Sequence, residues 1–148
     1  MRRSPAARAP SSTRCARPSC SRASHRARGD LLLLSTATNR YLTELTAERL
    51  GFEHVIATEL GEAGGVFSGH ARGTLNMREG KVERLRDWLA AMGLADALMA
   101  RATFYSDSIN DLPLLLAVAE PIAVDPDAQL LAQAQARGWR VLRLEREA

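Results

Sequence analysis

The sequence predicts an α/β fold of doubly wound type, a Rossmann-like parallel sheet with helices on both faces. Short apolar runs alternate with stretches of helical periodicity, each interval has room for a crossover helix, and glycines fall where helices should stop. "LLLLST" at 31–36 has the length and apolar continuity of a fully buried strand. "NRYLTELTAERL" at 39–50 reads as a helix with Tyr41, Leu42, Leu45 and Leu50 as its apolar positions and Gly51 as its C-terminal cap. "HVIAT" at 54–58 is a second strand, and the glycine-rich stretch 61–74 is a loop or a short hairpin. "KVERLRDWLAAMG" at 81–93 lines up Val82, Leu85, Trp88, Leu89 and Met92 on one helical face. A strand at 102–106, a helix at 111–119 with Pro113 in its first turn, a strand at 121–125, a helix at 127–138 stopped by Gly138 and a last strand at 139–144 complete the pattern. There is no internal repeat.

Length and composition, 148 residues of which 46% are apolar, fit one soluble domain with a real core. The net charge of +3 is unevenly placed: residues 1–30 hold eight arginines and Asp30 as their one acid, while the remainder carries more acid than base. The basic balance therefore belongs to an arm and implies nothing about the folded surface. Cys15 and Cys20 match no zinc pattern with partner ligands and suggest no disulfide scaffold. No apolar run approaches a membrane span, so the globular part reads as cytoplasmic, with no membrane partner.

Residues 1–29 contain no Val, Ile, Leu, Phe, Tyr or Trp, so they have little with which to offset the entropy of ordering. They are expected to form a disordered arm beside a globular part at 30–148. Three readings of the arm stay open: a solvated tail, an organelle transit peptide, or GC-rich DNA translated in the wrong frame. The abrupt change of composition at 29–31 favours the last. Nucleic-acid binding ranks below these, because the arm offers no aromatic side chain for stacking.

The chemistry gathers in "FYSDSINDLPLL". In a parallel sheet the loops after the strands form the binding edge, which puts Asp107 at a strand tip and Asp111 at the start of the next helix. Two carboxylates so placed, with no Cys or His nearby, suit a hard cation, Mg²⁺ before Zn²⁺; the competing reading is a helix cap. At the same edge "STATN" brings the hydroxyls of Thr36 and Thr38 and the free N–H groups of a helix start, where a phosphate oxygen could sit. Lys81 stands at a helix start, set there by Gly80 rather than buried on the apolar face, where the dipole disfavours a cation and asks for another reason. Hydroxyl, ammonium and carboxylates together are the parts that stabilise a transferring phosphoryl group.

"LLLLSTATN", "GKVERL" and "YSDSINDLPLL", in this order and spacing, resemble motifs two, three and four of the haloacid dehalogenase superfamily, nearest to its phosphoserine-phosphatase-like subfamily, over roughly residues 30–145. The resemblance implies a phosphomonoester hydrolase that uses Mg²⁺ and a small phosphorylated substrate. It implies that Thr36, with Ser35 as the alternative register, and Ala37 bind the phosphoryl group. Lys81 would neutralise charge on that group and on the nucleophile. Asp107 would ligate Mg²⁺, Asp111 would bind its waters and orient Lys81, and Asn110 would help order the site and bind substrate.

The family's first motif, DxDx[TV], supplies the aspartate nucleophile and the general acid and base, and it does not occur in these 148 residues. Asp30 precedes a strand rather than following one. The expected core therefore lacks its first strand and the cap that selects substrate. The chain by itself is expected to be inactive, to leave strand edges unpaired and to self-associate. Its substrate stays open among phosphoserine, other amino-acid or alcohol phosphates, and lipid or sugar phosphates. The alternative is a non-catalytic remnant of the fold that binds phosphate or a partner.

Overall fold

The computed structural model describes residues 18–144. Its elements run α1 (Pro18–Ala27), β1 (Leu33–Asn39), α2 (Arg40–Leu50), β2 (His54–Thr58), β3 (Leu60–Ala63), β4 (Val66–Ala71), α3 (Glu79–Ala91), β5 (Thr103–Ser106), α4 (Leu112–Ala117), β6 (Glu120–Val124), α5 (Ala128–Arg137) and β7 (Arg140–Leu142). Short 3₁₀ turns at Asp96–Arg101 and Ile109–Asp111 precede β5 and α4. No helix among the described residues is long and apolar enough to cross a membrane.

The α/β class holds, and the expected strands are parallel, but they form two sheets. β1 pairs with β2 in register Leu33↔His54 to Ser35↔Ile56, and β5, β6 and β7 form a second parallel sheet in that order. Among the described residues no ladder joins β1 to β5, so each has a neighbour on one side only. That is why "LLLL" is half-buried rather than fully buried, with Leu31 54% exposed. The glycine-rich stretch forms an antiparallel hairpin, β3–β4, turned by Gly64 and Gly65 at φ 61 and 78, values that suit a tight two-residue turn.

Two apolar clusters organise the core. Leu115, Ala123, Leu130 and Ala134 pack with Phe104, Ile109, Trp139 and Val141, joining α4 and α5 to the β5–β7 sheet. Leu89, Met99 and Leu114 pack with Val82, Leu85 and Trp88, seating α3 against α4. Phe104 touches both, and the adjacent Leu114 and Leu115 face one cluster each. The helices α2 and α5 stop at Gly51 and Gly138, both left-handed, as their spacing requires.

Two expectations fail instructively. The leucines and tyrosine of α2 are exposed, Leu42 and Leu45 each 64%, because the helix presents Thr43 and Ala47 inward instead. Small side chains let it lie close to β1 and β2, and Tyr41 turns outward to meet the Phe67 ring edge-on at 4.8 Å. Met92 is likewise outside. The second concerns the arm. Residues 1–17 lie outside the described part, but Pro18–Ala27 is helical where disorder was expected. Its anchors are polar. Arg22 and Arg26 donate to the carbonyls of Leu50 and Gly51 at the end of α2, where carbonyls lack helical partners and a cation is favoured. His25 bridges Asp30 at 2.7 Å and the Tyr105 hydroxyl at 2.8 Å. Pro18 is the helix's first residue, where it does no harm.

Candidate functional site

The carboxyl ends of β1 and β5 carry the residues singled out by the sequence. At the tip of β5, Ser106 is buried and donates its hydroxyl to Asp111 Oδ2 at 2.7 Å. The other Asp111 oxygen meets Lys81 Nζ at 2.7 Å, with both side chains largely buried. Asp111 stands at the N-cap of α4 yet makes no side-chain cap bond, which rules out capping as its role. Ser108 does the local capping, accepting from the Asn110 amide.

Lys81 stands at the helix start as expected, but it is buried rather than kept off the packed face. It is 5% exposed, three residues into α3, with its ammonium 5.8 Å from the centre of the Phe104 ring. A buried ammonium needs a partner, and among the described residues Asp111 is the one it has. Breaking such a pair on one side leaves an uncompensated charge. Gly80 makes this approach feasible: a Cβ there would stand 2.1 Å from the Leu75 carbonyl oxygen.

Asp107 is exposed, and its carboxylate has no hydrogen bond or ion pair to any described side chain. Its carbonyl accepts from the Asp127 amide at 2.8 Å. Asp127 in turn accepts from the amides of Leu130 and Ile109, which hold its carboxyl below the usual range. Asn110 is exposed, and its Oδ1 lies 3.4 Å from Arg78 Nε; Arg78 itself sits at φ 50, a backbone region unusual for a residue with a Cβ.

Thr36, Ala37 and Thr38 lie at the end of β1, where the ladder to β2 becomes irregular between Ser35 and Asn39. Thr36 Oγ1 accepts from the Thr38 amide at 3.2 Å, and Asn39 caps α2, so capping falls to Asn39 and leaves the threonines at the edge. The Ala37 carbonyl accepts from Thr58. Among the described residues no hydrogen bond or ion pair ties Thr36 or Ala37 to Lys81 or Asp111; the link is indirect. Asn76, wholly buried, donates to Thr36 O at 2.7 Å, Ile56 O at 2.8 Å and Ser35 Oγ at 3.2 Å. Five residues later the same segment delivers Lys81. Residues 76–81 thus stitch the β1 tip to the β5 tip. Asn76 Oδ1 has no hydrogen-bond partner among the described residues, a rare state for a buried acceptor.

Asn76, Ser106 and Asp127 were not singled out by sequence. Ser106 adjoins Asp107 and was within reach of the motif, whereas Asn76 lies just past the glycine-rich stretch, in a segment with no periodicity to mark it. Among the described residues no group of three or more His, Cys, Asp and Glu gathers as a metal site. The donor set is two carboxylates, one free and one engaged.

A family model described as haloacid dehalogenase-like hydrolase matches residues 18–116. The chain is 42% identical over 121 residues to a histidinol-phosphatase of Neisseria meningitidis serogroup C, covering 80% of this chain and 54% of that protein. A solved structure of a Bordetella pertussis protein of unknown function superposes with a TM-score of 0.80 at 48% identity, covering 84% of this chain and 56% of that one. A phosphoserine phosphatase in its apo form shares the fold at TM-score 0.65 and 17% identity, covering 86% of this chain and 60% of that one. The chain therefore spans about half the length of the histidinol-phosphatase it matches.

Proposed function

The chain belongs to the haloacid dehalogenase-like hydrolase family, and on that premise we propose that it carries the phosphate-binding and cation-binding half of a Mg²⁺-dependent phosphomonoester hydrolase acting on a small phosphorylated substrate. The observation that carries this reading is the buried Lys81–Asp111 pair set beside the free carboxylate of Asp107. Lys81 holds a positive charge at a dry strand edge, where it is worth far more to a phosphoryl oxygen than it would be in water. Asp111 keeps that ammonium aimed, and Ser106 keeps Asp111 aimed. Thr36 offers its hydroxyl, and Ala37 its backbone, from the facing tip. Asn110 orders the loop beside them.

The donors fit Mg²⁺: hard oxygens only, with one exposed carboxylate uncommitted among the described residues. Asp107 would hold it, and Asp111 would bind its waters. When bound, it supplies charge neutralisation at the phosphoryl group. An aspartate nucleophile in the family's first motif is not found in the 148 residues, so the chain alone should bind phosphate without turning it over. The likenesses to a histidinol-phosphatase and a phosphoserine phosphatase support amino-acid-derived phosphate esters as the first substrates to try.

The test is phosphate release by the purified 148-residue protein with Mg²⁺, using phosphoserine and histidinol phosphate. The expected result is release no faster than without protein. Mg²⁺-dependent turnover that disappears in Lys81→Met would contradict the inactive reading and place a nucleophile within this chain.

A further inference from the structure

We infer that Asp127, at the N-cap of α5, is a positioning residue that fixes the loop carrying Asp107. Capping a helix needs one oxygen, and Asp127 Oδ1 supplies it, accepting from the Leu130 amide at 2.8 Å. The second oxygen does something else: Oδ2 accepts from the Ile109 amide, 18 residues away in sequence, at 2.7 Å. The Asp127 amide also donates to the Asp107 carbonyl at 2.8 Å. One residue therefore grips the carbonyl of Asp107 and the amide of Ile109, clamping the backbone on either side of Ser108. Among the described residues no side chain partners the Asp107 carboxylate, so the held backbone is what fixes the direction in which its Cβ leaves the loop.

Asp127 is itself firmly presented. Asp125 adopts φ 42, its carboxylate accepts from the Leu144 amide, and Pro126 is buried with its own φ fixed by the ring. The turn 125–127 thus enters α5 at one angle, and that angle faces the β5 tip. Any residue with a single acceptor oxygen would have served the helix; the carboxylate's second oxygen serves the loop.

The inference rests on the phosphatase reading only for the cation that Asp107 receives, and the experiment separates the two. In the full chain, Asp127→Ser keeps a one-oxygen cap and the backbone bond to Asp107, but leaves no second acceptor for Ile109; Asp127→Ala removes both. Amide exchange at Ile109 and Leu130, and a Mg²⁺ titration followed at the Asp107 and Ser108 amides, are read by NMR. In Asp127→Ser, Leu130 should stay protected, Ile109 should lose roughly tenfold in protection, the scale of one hydrogen bond to a charged acceptor, and half-saturation by Mg²⁺ should rise several-fold. In Asp127→Ala both amides should lose protection. Unchanged Ile109 exchange in Asp127→Ser overturns the inference, as does unchanged Mg²⁺ affinity once Ile109 is released, which would make Asp127 a structural clasp only. If the wild-type chain shows no response to Mg²⁺, the phosphatase reading falls, whereas the exchange data still decide whether Asp127 holds the loop.

Discussion

Lys81 and Asp111 show how a candidate site residue is recognised by what it would cost to leave it unpaired. An ammonium and a carboxylate, each nearly out of water, face one another at 2.7 Å. Replacing Lys81 by Ala should destabilise the chain by about 3 kcal/mol or more, since Asp111 would stay buried with only Ser106 for company. Lys81→Ala combined with Asp111→Ala should cost less than the sum of the two, and urea unfolding of the double-mutant cycle measures that coupling. Asn76 makes a parallel case. Its amide holds three acceptors, so Asn76→Ala should cost about 1–3 kcal/mol by leaving them dry and unpaired. Asn76→Asp should cost more, because it turns donors toward carbonyls into a charge facing them. The paired aspartates and the lysine after Gly80 were legible in the sequence because each breaks a local pattern. Asn76 breaks none, and its importance exists only once β1, β2 and the segment before α3 converge.

Among the elements, helices and strands were legible where periodicity and glycine agreed, as at α2, α3 and α5. Less legible was which face each helix buries. Four large apolar residues of α2 point outward while Thr43 and Ala47 pack, so hydrophobicity misjudged the buried side and closeness of approach decided it. Composition also misjudged α1, whose anchors are arginines on carbonyl groups rather than apolar contacts. The elements around the hairpin are joined by Glu59, which accepts from Arg40 of α2 at 2.6 Å and reaches Arg84 of α3 at 3.5 Å. The Arg40 hydrogen bond, followed by the nearby positive charges, holds the Glu59 carboxyl below its usual value. With the folded value depressed, the stability that this carboxylate contributes is present above the ordinary glutamate range and is lost as pH falls through the lowered folded value. Thermal unfolding of Glu59→Gln should therefore show a shallower acid limb than wild type, with a difference of up to about 1 kcal/mol at neutral pH, as expected for a partly exposed pair. Equal acid limbs would contradict it.

At the scale of the molecule, two parallel sheets without a shared ladder leave β1 and β5 each with one strand neighbour among the described residues. Leu42, Leu45, Val66 and Phe67 add exposed apolar area on the side of α2 and the hairpin. Edges and apolar patches of this kind invite association. The 148-residue chain should therefore sediment as a concentration-dependent mixture, and a monodisperse monomer at high concentration would count against this picture. Doubly wound topology was legible from the alternation of elements; the division into two sheets was not, because periodicity along the chain does not mark which strands distant in sequence pair.

Lys81, Asp111, Asp107 and the β1 tip are proposed to form one phosphate site. An amide NMR titration of the wild-type chain with Mg²⁺ and inorganic phosphate tests it most directly. Thr36, in β1, and Asp107, just past β5, should shift together along one binding curve, and this shared response should be lost in Lys81→Met. Shifts at neither residue, or at one without the other, would contradict it.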